Sequence, residues 1–333
     1  MTPLDGVPAL LADLDGVVYA GAGAIPHAVD ALNRARQRLR VGYITNNASR
    51  SDTTVAAHLA SLGLSLESRD VVTSPQAAVR MLAELIPAAA TVLVVGGEGL
   101  VVEVERAGYR VTRSAEDDPA AVIQGFAPEL GWEQLAEAAF ALQGAHSERP
   151  WVATNTDWTI PVARGVAPGN GTLVSAVHTA VGRLPLVAGK PETPMFRLAL
   201  ERFEVHSALV VGDRLDTDIL GANRAGLPSA HVLTGIDGPR QLLAAVPEQR
   251  PTFVLEHLGQ LHEPYPAVRE SERRGTRLTR VGEAVVARRA DTITIERAGS
   301  RRIDLVRAGT QAVWSSGIPI YGLTVPAELY SWA

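Results

Sequence analysis

Apolar positions in this chain come in short unbroken runs, each halted by a polar or charged group, a rhythm that predicts buried parallel strands. Pro8-Ala9-Leu10-Leu11-Ala12 leads into Asp13-Leu14-Asp15-Gly16, and Arg40-Val41-Gly42-Tyr43-Ile44 ends at Thr45-Asn46-Asn47. Leu186-Val187-Ala188-Gly189 stops at Lys190-Pro191, and Ala208-Leu209-Val210-Val211-Gly212 gives way to Asp213-Arg214-Leu215-Asp216-Thr217-Asp218. Helical spacing follows two of the runs, over residues 53–62 and 219–225. Strands alternating with helices predict an α/β fold built on a parallel sheet. Toward the C-terminus the rhythm changes. Residues 291–295 and 302–306 alternate as strands do, with Ala298-Gly299-Ser300 as a turn, and residues 278–289 read as a helix packed on them.

An α/β protein places its chemistry where strands end, so the halting groups are candidates for function. Asp13 and Asp15 sit two residues apart at a turn marked by Gly16; paired carboxylates repel, and a bound Mg2+ relieves the repulsion. Asp213 supplies a further hard oxygen ligand of the kind Mg2+ takes. Thr45 and Asn46 offer a hydroxyl and an amide suited to phosphate oxygens. Of the 31 basic residues Lys190 alone is lysine, which points to a place where a compact ammonium is needed and a planar guanidinium fails. Taken singly, each pattern also describes something ordinary. Asp-x-Asp is a common turn, Ser51 and Asp52 after Thr-Asn-Asn are a helix cap, and Asp213 with Asp218 suits a helix N-terminus.

The ordered set Asp-x-Asp-Gly, Thr-Asn-Asn, Gly-Lys-Pro and Gly-Asp-x-x-x-Thr-Asp resembles the haloacid dehalogenase superfamily over roughly residues 8 to 260. The stretch between Thr45 and Lys190 is far longer than one strand–helix unit needs, and in that superfamily such an insert is the α/β cap of subclass IIA. Val94-Val95-Gly96-Gly97-Glu98-Gly99-Leu100, Ala153-Thr154-Asn155-Thr156-Asp157 and Pro168-Gly169-Asn170-Gly171 resemble cap features of that subclass. The resemblance implies a Rossmann-like core from residues 1–82 and 186–262 and a cap from 83–185; outside it, the changed strand and helix pattern reads as a small accessory α+β module over 263–333. It implies a Mg2+-dependent phosphatase of small monoesters such as glycerol 3-phosphate or 2-phosphoglycolate. Pyridoxal phosphate or a nucleotide is the alternative substrate, and a non-catalytic phosphate-sensing scaffold the alternative class.

Chemistry assigns the roles. Asp13 is the candidate nucleophile and Asp15 the general acid and base. Mg2+ is expected on Asp13, Asp213 and, by the resemblance, the Asp15 carbonyl, with Asp218 in a supporting position. Lys190 and Thr45 are expected to neutralise and hold the transferring group, with Asn46 binding phosphate. Asn155 and Asp157, at a cap strand end, are expected to contact substrate.

Two rival phosphate loops fail on inspection. A dinucleotide glycine pattern begun at Gly97 meets Val102 where glycine is required, and Gly189-Lys190 has Leu184 and Pro191 where a nucleotide-triphosphate loop needs Gly and Ser or Thr. With no cysteine among 333 residues, neither disulfides nor thiolate metal sites can form, consistent with a cytoplasmic protein. No basic and apolar leader opens the chain and no run of 18 apolar residues occurs, so neither export nor a membrane partner is expected. The net charge of −5 argues against a nucleic-acid partner. Residues 267–333 carry 11 Arg against 7 acidic residues, a net +4 that leaves −9 on the remainder; these arginines read as a solvated or docking face. This end resembles half of an acetyltransferase-like fold but lacks the pyrophosphate loop that would hold coenzyme A. Caps of this subclass pair, so a homodimer through the cap is expected.

Overall fold

The structure, a computed structural model, describes residues 1–162 and 164–332. The chain divides into two compact units, one formed by Met1–Arg40 with Ser207–Ala333 and the other by Val41–His206. The expected α/β architecture is present, with parallel sheets in both units and an antiparallel sheet near the C-terminus.

In the first unit the strand Ala9–Ala12 pairs in parallel with Leu209–Gly212, which pairs with Ser229–Val232, which pairs with Phe253–Leu255. Every residue of the first three strands is buried. That explains their continuous apolar runs, since a strand covered on both faces has no solvent side to mark with polar residues. Parallel pairing also brings the strands' C-terminal ends to one edge, and the halting residues with them.

The same unit continues into a four-stranded antiparallel sheet, Val268–Arg273, Thr276–Val281, Ala284–Arg289 and Thr292–Arg297, backed by the helix Arg302–Trp314. Two expectations fail here. Residues 278–289 are not a helix but two strands of a hairpin: Val281 pairs with Ala284 across Gly282, whose φ of 55° suits glycine in a two-residue turn. Residues 302–306 are not a strand but the start of a helix. Their brief alternation is overridden by a longer pattern, in which Ile303, Val306, Ala308, Ala312 and Val313 are all buried in the unit's core.

Arg307, 5% exposed, fastens that helix to the parallel sheet. Its guanidinium donates to the Val254 carbonyl at 2.8 Å, to Asp304 at 2.9 Å and to Gln260 Oε1 at 2.9 Å, and it stacks 4.5 Å over the Tyr265 ring. Trp314 Nε1 adds a bond to the Leu242 carbonyl at 2.9 Å.

The second unit opens within the strand Arg40–Thr45, which pairs in parallel with Val71–Thr73. The helix Asp52–Ser61 begins where the sequence places it, with Ser51 Oγ accepting from Thr54 N at 3.2 Å. A strand-to-helix turn at Gly96-Gly97 joins the strand Thr91–Val95 to the helix Glu98–Arg106. That strand lies in a five-stranded parallel sheet ordered Leu186–Val187, Trp151–Ala153, Ala121–Gln124, Thr91–Val95, Arg110–Thr112. Leu93, Val95, Val122 and Trp151 pack there against Ala138, Leu142, Val174 and Val177.

A partly buried charge network ties the helix Glu98–Arg106 to its neighbours. Arg106 bonds Glu103 at 2.8 Å and Asp52 at 3.1 Å, Gln76 Nε2 donates to Asp52 at 3.0 Å, and Arg202 donates to Gln76 Oε1 at 3.0 Å. Burial raises the Glu103 pKa above its ordinary value, with Arg106 pulling the other way.

Candidate active site

The first unit carries the acidic half of the expected residues. Ala9–Ala12 ends as Asp13 N donates to the Val211 carbonyl at 2.9 Å, and the chain then folds so that the amides of Val17 and Val18 return to the Leu14 carbonyl. The turn runs through Gly16, whose φ is 79°. Asp15 is thereby thrown outward and exposed, with its Oδ2 accepting the Tyr19 hydroxyl at 3.2 Å. Asp213 leaves the buried strand Leu209–Gly212, and the π-turn Leu215–Ile219 swings Asp218 back toward it, Arg214 N donating to Asp218 Oδ2 at 3.2 Å. Asp216 points away into a surface pair with Arg214 at 2.8 Å.

Oxygens of Asp13, Asp213 and Asp218 lie within 4.8 Å of one another. Three carboxylates so close and so little exposed repel strongly unless a cation sits among them. An all-oxygen, carboxylate-rich donor set fits Mg2+, which takes one or two carboxylates and completes its octahedron with water and phosphate oxygens. Asp218, expected only in support, therefore brings its own oxygen into the cluster.

The second unit carries the remaining candidates. Thr45 ends the strand Arg40–Thr45, its hydroxyl accepting from Asn47 N at 3.1 Å. Asn46 is a hub. Its Nδ2 donates to both oxygens of Asp157, at 3.1 and 3.2 Å, and to the Lys190 carbonyl at 3.0 Å; its Oδ1 accepts from Lys190 N at 2.9 Å. The Asn46 carbonyl accepts from Ser74 Oγ at 2.8 Å and Asn155 Nδ2 at 2.7 Å. Asn155 Oδ1 in turn accepts from Asp157 N at 3.1 Å, an Asx turn, and its carbonyl accepts from Asn170 Nδ2 at 2.7 Å. Lys190 is 3% exposed. Within this unit the structure thus joins Asn46, Asn155, Asp157 and Lys190 into one network. Trp158, beside Asp157, is exposed at the root of the hairpin Thr159–Val162 and Gly165–Pro168.

This arrangement has close counterparts. Residues 10–110 match the haloacid dehalogenase-like hydrolase family, and residues 187–261 match the related HAD-hydrolase-like family. A D-glycerol 3-phosphate phosphatase of Mycobacterium tuberculosis is 44% identical over 308 residues, covering 92% of this chain and 86% of its own. The chain belongs to the haloacid dehalogenase-like hydrolases. Human chronophin is 36% identical over 276 residues, covering 76% of this chain and 92% of its own. Among solved structures, the M. tuberculosis glycerol phosphate phosphatase in complex with magnesium superposes with a TM-score of 0.83 at 40% identity, covering 98% of this chain and 94% of that one.

For a haloacid dehalogenase-like hydrolase the acidic half is the expected donor set. Sequence reasoning missed bonds that hold the amide network of the second unit in place. Ser74 and Asn170 look like ordinary helix-start residues, and only their bonds to the Asn46 and Asn155 carbonyls reveal more. His231 is fully buried; its Nε2 bonds the Asp237 carbonyl at 2.8 Å and burial pushes its pKa down to about 4. Burial raises the Asp237 carboxyl above its ordinary pKa.

Proposed function

We propose glycerol 3-phosphate as the substrate of this phosphatase, hydrolysed to glycerol and inorganic phosphate by way of an aspartyl phosphate on Asp13. The observation that carries this reading is the cluster of Asp13, Asp213 and Asp218 oxygens within 4.8 Å, with the exposed Asp15 two residues along the chain. Mg2+ bound by these carboxylates supplies positive charge against the phosphoryl oxygens and offsets the acids' mutual repulsion.

Asp13 attacks phosphorus in line, forming its own O–P bond as the bond to the glycerol oxygen breaks. Asp15 gives its proton to the leaving alkoxide. It then takes a proton from the water that opens the acyl phosphate, which returns Asp13 as a carboxylate. Its position outside the carboxylate cluster, with the Tyr19 hydroxyl on one oxygen, supports this role. The family pattern assigns to Lys190 and Thr45 the neutralising and holding of the phosphoryl group. Asn46, Asn155 and Asp157 are assigned to positioning, because their polar atoms are already committed to one another and to the Lys190 backbone.

The choice of glycerol 3-phosphate is supported by the mycobacterial relative, whose likeness runs on into the C-terminal segment. Release of phosphate from glycerol 3-phosphate, 2-phosphoglycolate, pyridoxal phosphate and nucleoside monophosphates, with and without Mg2+, tests it. Glycerol 3-phosphate is expected to give the highest kcat/KM, with Mg2+ required. Asp13→Asn is expected to abolish release, and Asp15→Asn to lower it by about a hundredfold or more, the usual weight of a general acid. Preference for another ester overturns the substrate; metal-independent release overturns the site.

A homodimer through the cap and a cytoplasmic location complete the reading. The first is supported by Trp132 and Phe140, both exposed on the helix Trp132–Ala141; sedimentation of Trp132→Glu as a monomer against a dimeric wild type tests it. The second is supported by the cysteine-free sequence. No helix among the described residues is long and apolar enough to cross a membrane.

A further inference from the structure

The four-stranded antiparallel sheet near the C-terminus lays one face on the helix Arg302–Trp314 and turns the other away from it. Val281, Ala284, Val286 and Ile293 pack against Leu305, Ala308 and Ala312 of that helix. Side chains alternate along a strand, so the outer face carries Arg269, Arg273, Arg280, Arg289 and, opposite Val285, Arg297. All of these arginines are exposed. None of them forms an ion pair among the described residues. Glu296, in the bulge beside Arg297, accepts the Thr294 hydroxyl at 3.2 Å.

On the helix side opposite charges face each other, since Glu272 stands across from Arg277. On the outer side Arg269 stands directly across from Arg280, and like charges so placed destabilise a sheet. A repulsion left unrelieved within the chain points to an anion outside it. The two edges of the sheet also differ. Thr292 at one edge is bridged to Thr324, and Ile293 N donates to the Thr324 carbonyl at 2.8 Å. At the other, Val268–Arg273 has Thr276–Val281 as its one partner strand among the described residues, and its whole length is exposed. Such an edge leaves a row of backbone N–H and C=O groups open to a further strand.

We propose that Val268–Arg273 is a docking edge for an extended acidic segment of another protein, which adds to the sheet as a further strand. Its carboxylates, at alternate positions, meet Arg269 and Arg273, and the residues between them, neutral or basic, face Glu270 and Glu272. Guanidinium forks match carboxylates with paired hydrogen bonds. The field of Arg280, Arg289 and Arg297 speeds the approach. A polypeptide is favoured over other polyanions because it alone can pair with the open backbone groups. The four strands contain no aromatic residue on which nucleic-acid bases could stack. A second copy of this chain fits poorly. Antiparallel pairing about a two-fold axis centred on Glu270 sets that residue against its own mate. Centred on Ser271, it sets Arg269 against Arg273 and Glu270 against Glu272. The charges that suit an acidic partner thus keep the edge from its own kind.

Fluorescence anisotropy of a labelled peptide alternating glutamate and threonine, titrated with the full chain, tests the idea. A peptide of the same composition, with its glutamates in one block, is the control, and hydrogen exchange locates the contact. The alternating peptide is expected to bind about tenfold more tightly than the block, to weaken as salt rises, and to slow exchange of the Val268–Arg273 amides. Arg269→Glu combined with Arg273→Glu is expected to lower that affinity by about tenfold or more, because each reversal turns an attractive cross-strand pair into a repulsive one. Circular dichroism and phosphate release are expected to match wild type, since both residues are exposed and outside the site. Absence of binding, equal binding of the two peptides, or binding without protection of those amides overturns the proposal. Tighter binding of duplex DNA or of phosphatidylglycerol vesicles overturns it in favour of a phosphate surface. Protection that grows with protein concentration in the absence of peptide overturns it in favour of a second copy.

Discussion

Asn46 and Asp157 are joined through a single amide nitrogen that reaches both carboxylate oxygens, at 3.1 and 3.2 Å, 111 residues apart in sequence. The same amide group brackets Lys190, donating to its carbonyl and accepting from its nitrogen. One side chain therefore sets the position of a backbone segment that would otherwise depend on a loop.

Removing that side chain should loosen Lys190 without touching the acidic cluster. Asn46→Ala is expected to lower kcat by about ten- to a hundredfold, on the scale of losing one or two hydrogen bonds to charged or buried groups. Its Mg2+ Kd is expected to stay at the wild-type value. Steady-state kinetics set beside calorimetry check this, and a weakened Mg2+ affinity would place Asn46 in a different role.

Lys190→Arg keeps the charge and changes its shape. At 3% exposure there is little room for a planar guanidinium, and a fork cannot stand in for the compact ammonium that the proposed reaction sets against the phosphoryl group. A loss of turnover of about a hundredfold or more is expected, close to that of Lys190→Ala, with the melting temperature lowered by less than in the alanine variant. Full activity in the arginine variant would reduce the lone lysine to an accident of composition.

How legible all this was depended on what kind of residue was speaking. The buried strands announced themselves because a strand covered on both faces must be apolar throughout, and Asp13, Asp213 and Lys190 stood out as charges ending such runs. Asp218 was visible as an acid but not as a member of the cluster, because a π-turn, which sequence spacing does not signal, carries it back. The C-terminal hairpin and helix were misread. Leu278 to Arg289 contains a single turn glycine easily passed over, and Arg302 to Val306 is too short a window to separate period 2 from period 3.6. Ser74 gave no signal, since its value lies in which distant carbonyl it reaches, and Asn170 was visible only as part of Pro168-Gly169-Asn170-Gly171.

Acid should act on the fold through His231. Its Nε2 bonds the Asp237 carbonyl while its Nδ1 is buried without a partner, so protonation would create a second N–H with no acceptor. The folded-state pKa of about 4 lies below the ordinary 6.5, so the unfolded chain binds the extra proton first as pH falls. Stability is then complete above about pH 6.5 and declines from there toward pH 4, by up to about 3 kcal/mol. Glu103 and Asp237, whose pKa values burial raises, work in the opposite sense, so the imidazole is best isolated by comparison. Melting temperatures between pH 7.5 and 4.5 are expected to fall more steeply for wild type than for His231→Gln; equal slopes would refute the assignment.

Arg307 should matter to the first unit as a whole. Arg307→Ala leaves Asp304 and the Val254 carbonyl without their donor in a buried setting, a loss of about 3–5 kcal/mol. A single unfolding transition shifted to lower denaturant, with phosphate release intact at low temperature, is the expected result. Two separate transitions would mean that the C-terminal sheet and helix unfold alone.

The order of synthesis sets a timetable for this enzyme. The unit that holds the carboxylate cluster is assembled from two segments far apart in sequence, with Asp13 and Asp213 two hundred residues apart and Arg307 later still. The intervening unit is one continuous segment and is finished first. At about 5–20 residues per second, the strand that ends at Asp13 emerges from the ribosome some tens of seconds before Leu209–Gly212, which pairs with it and presents Asp213. A nascent chain therefore carries no complete carboxylate cluster until Asp213 and Asp218 have been made.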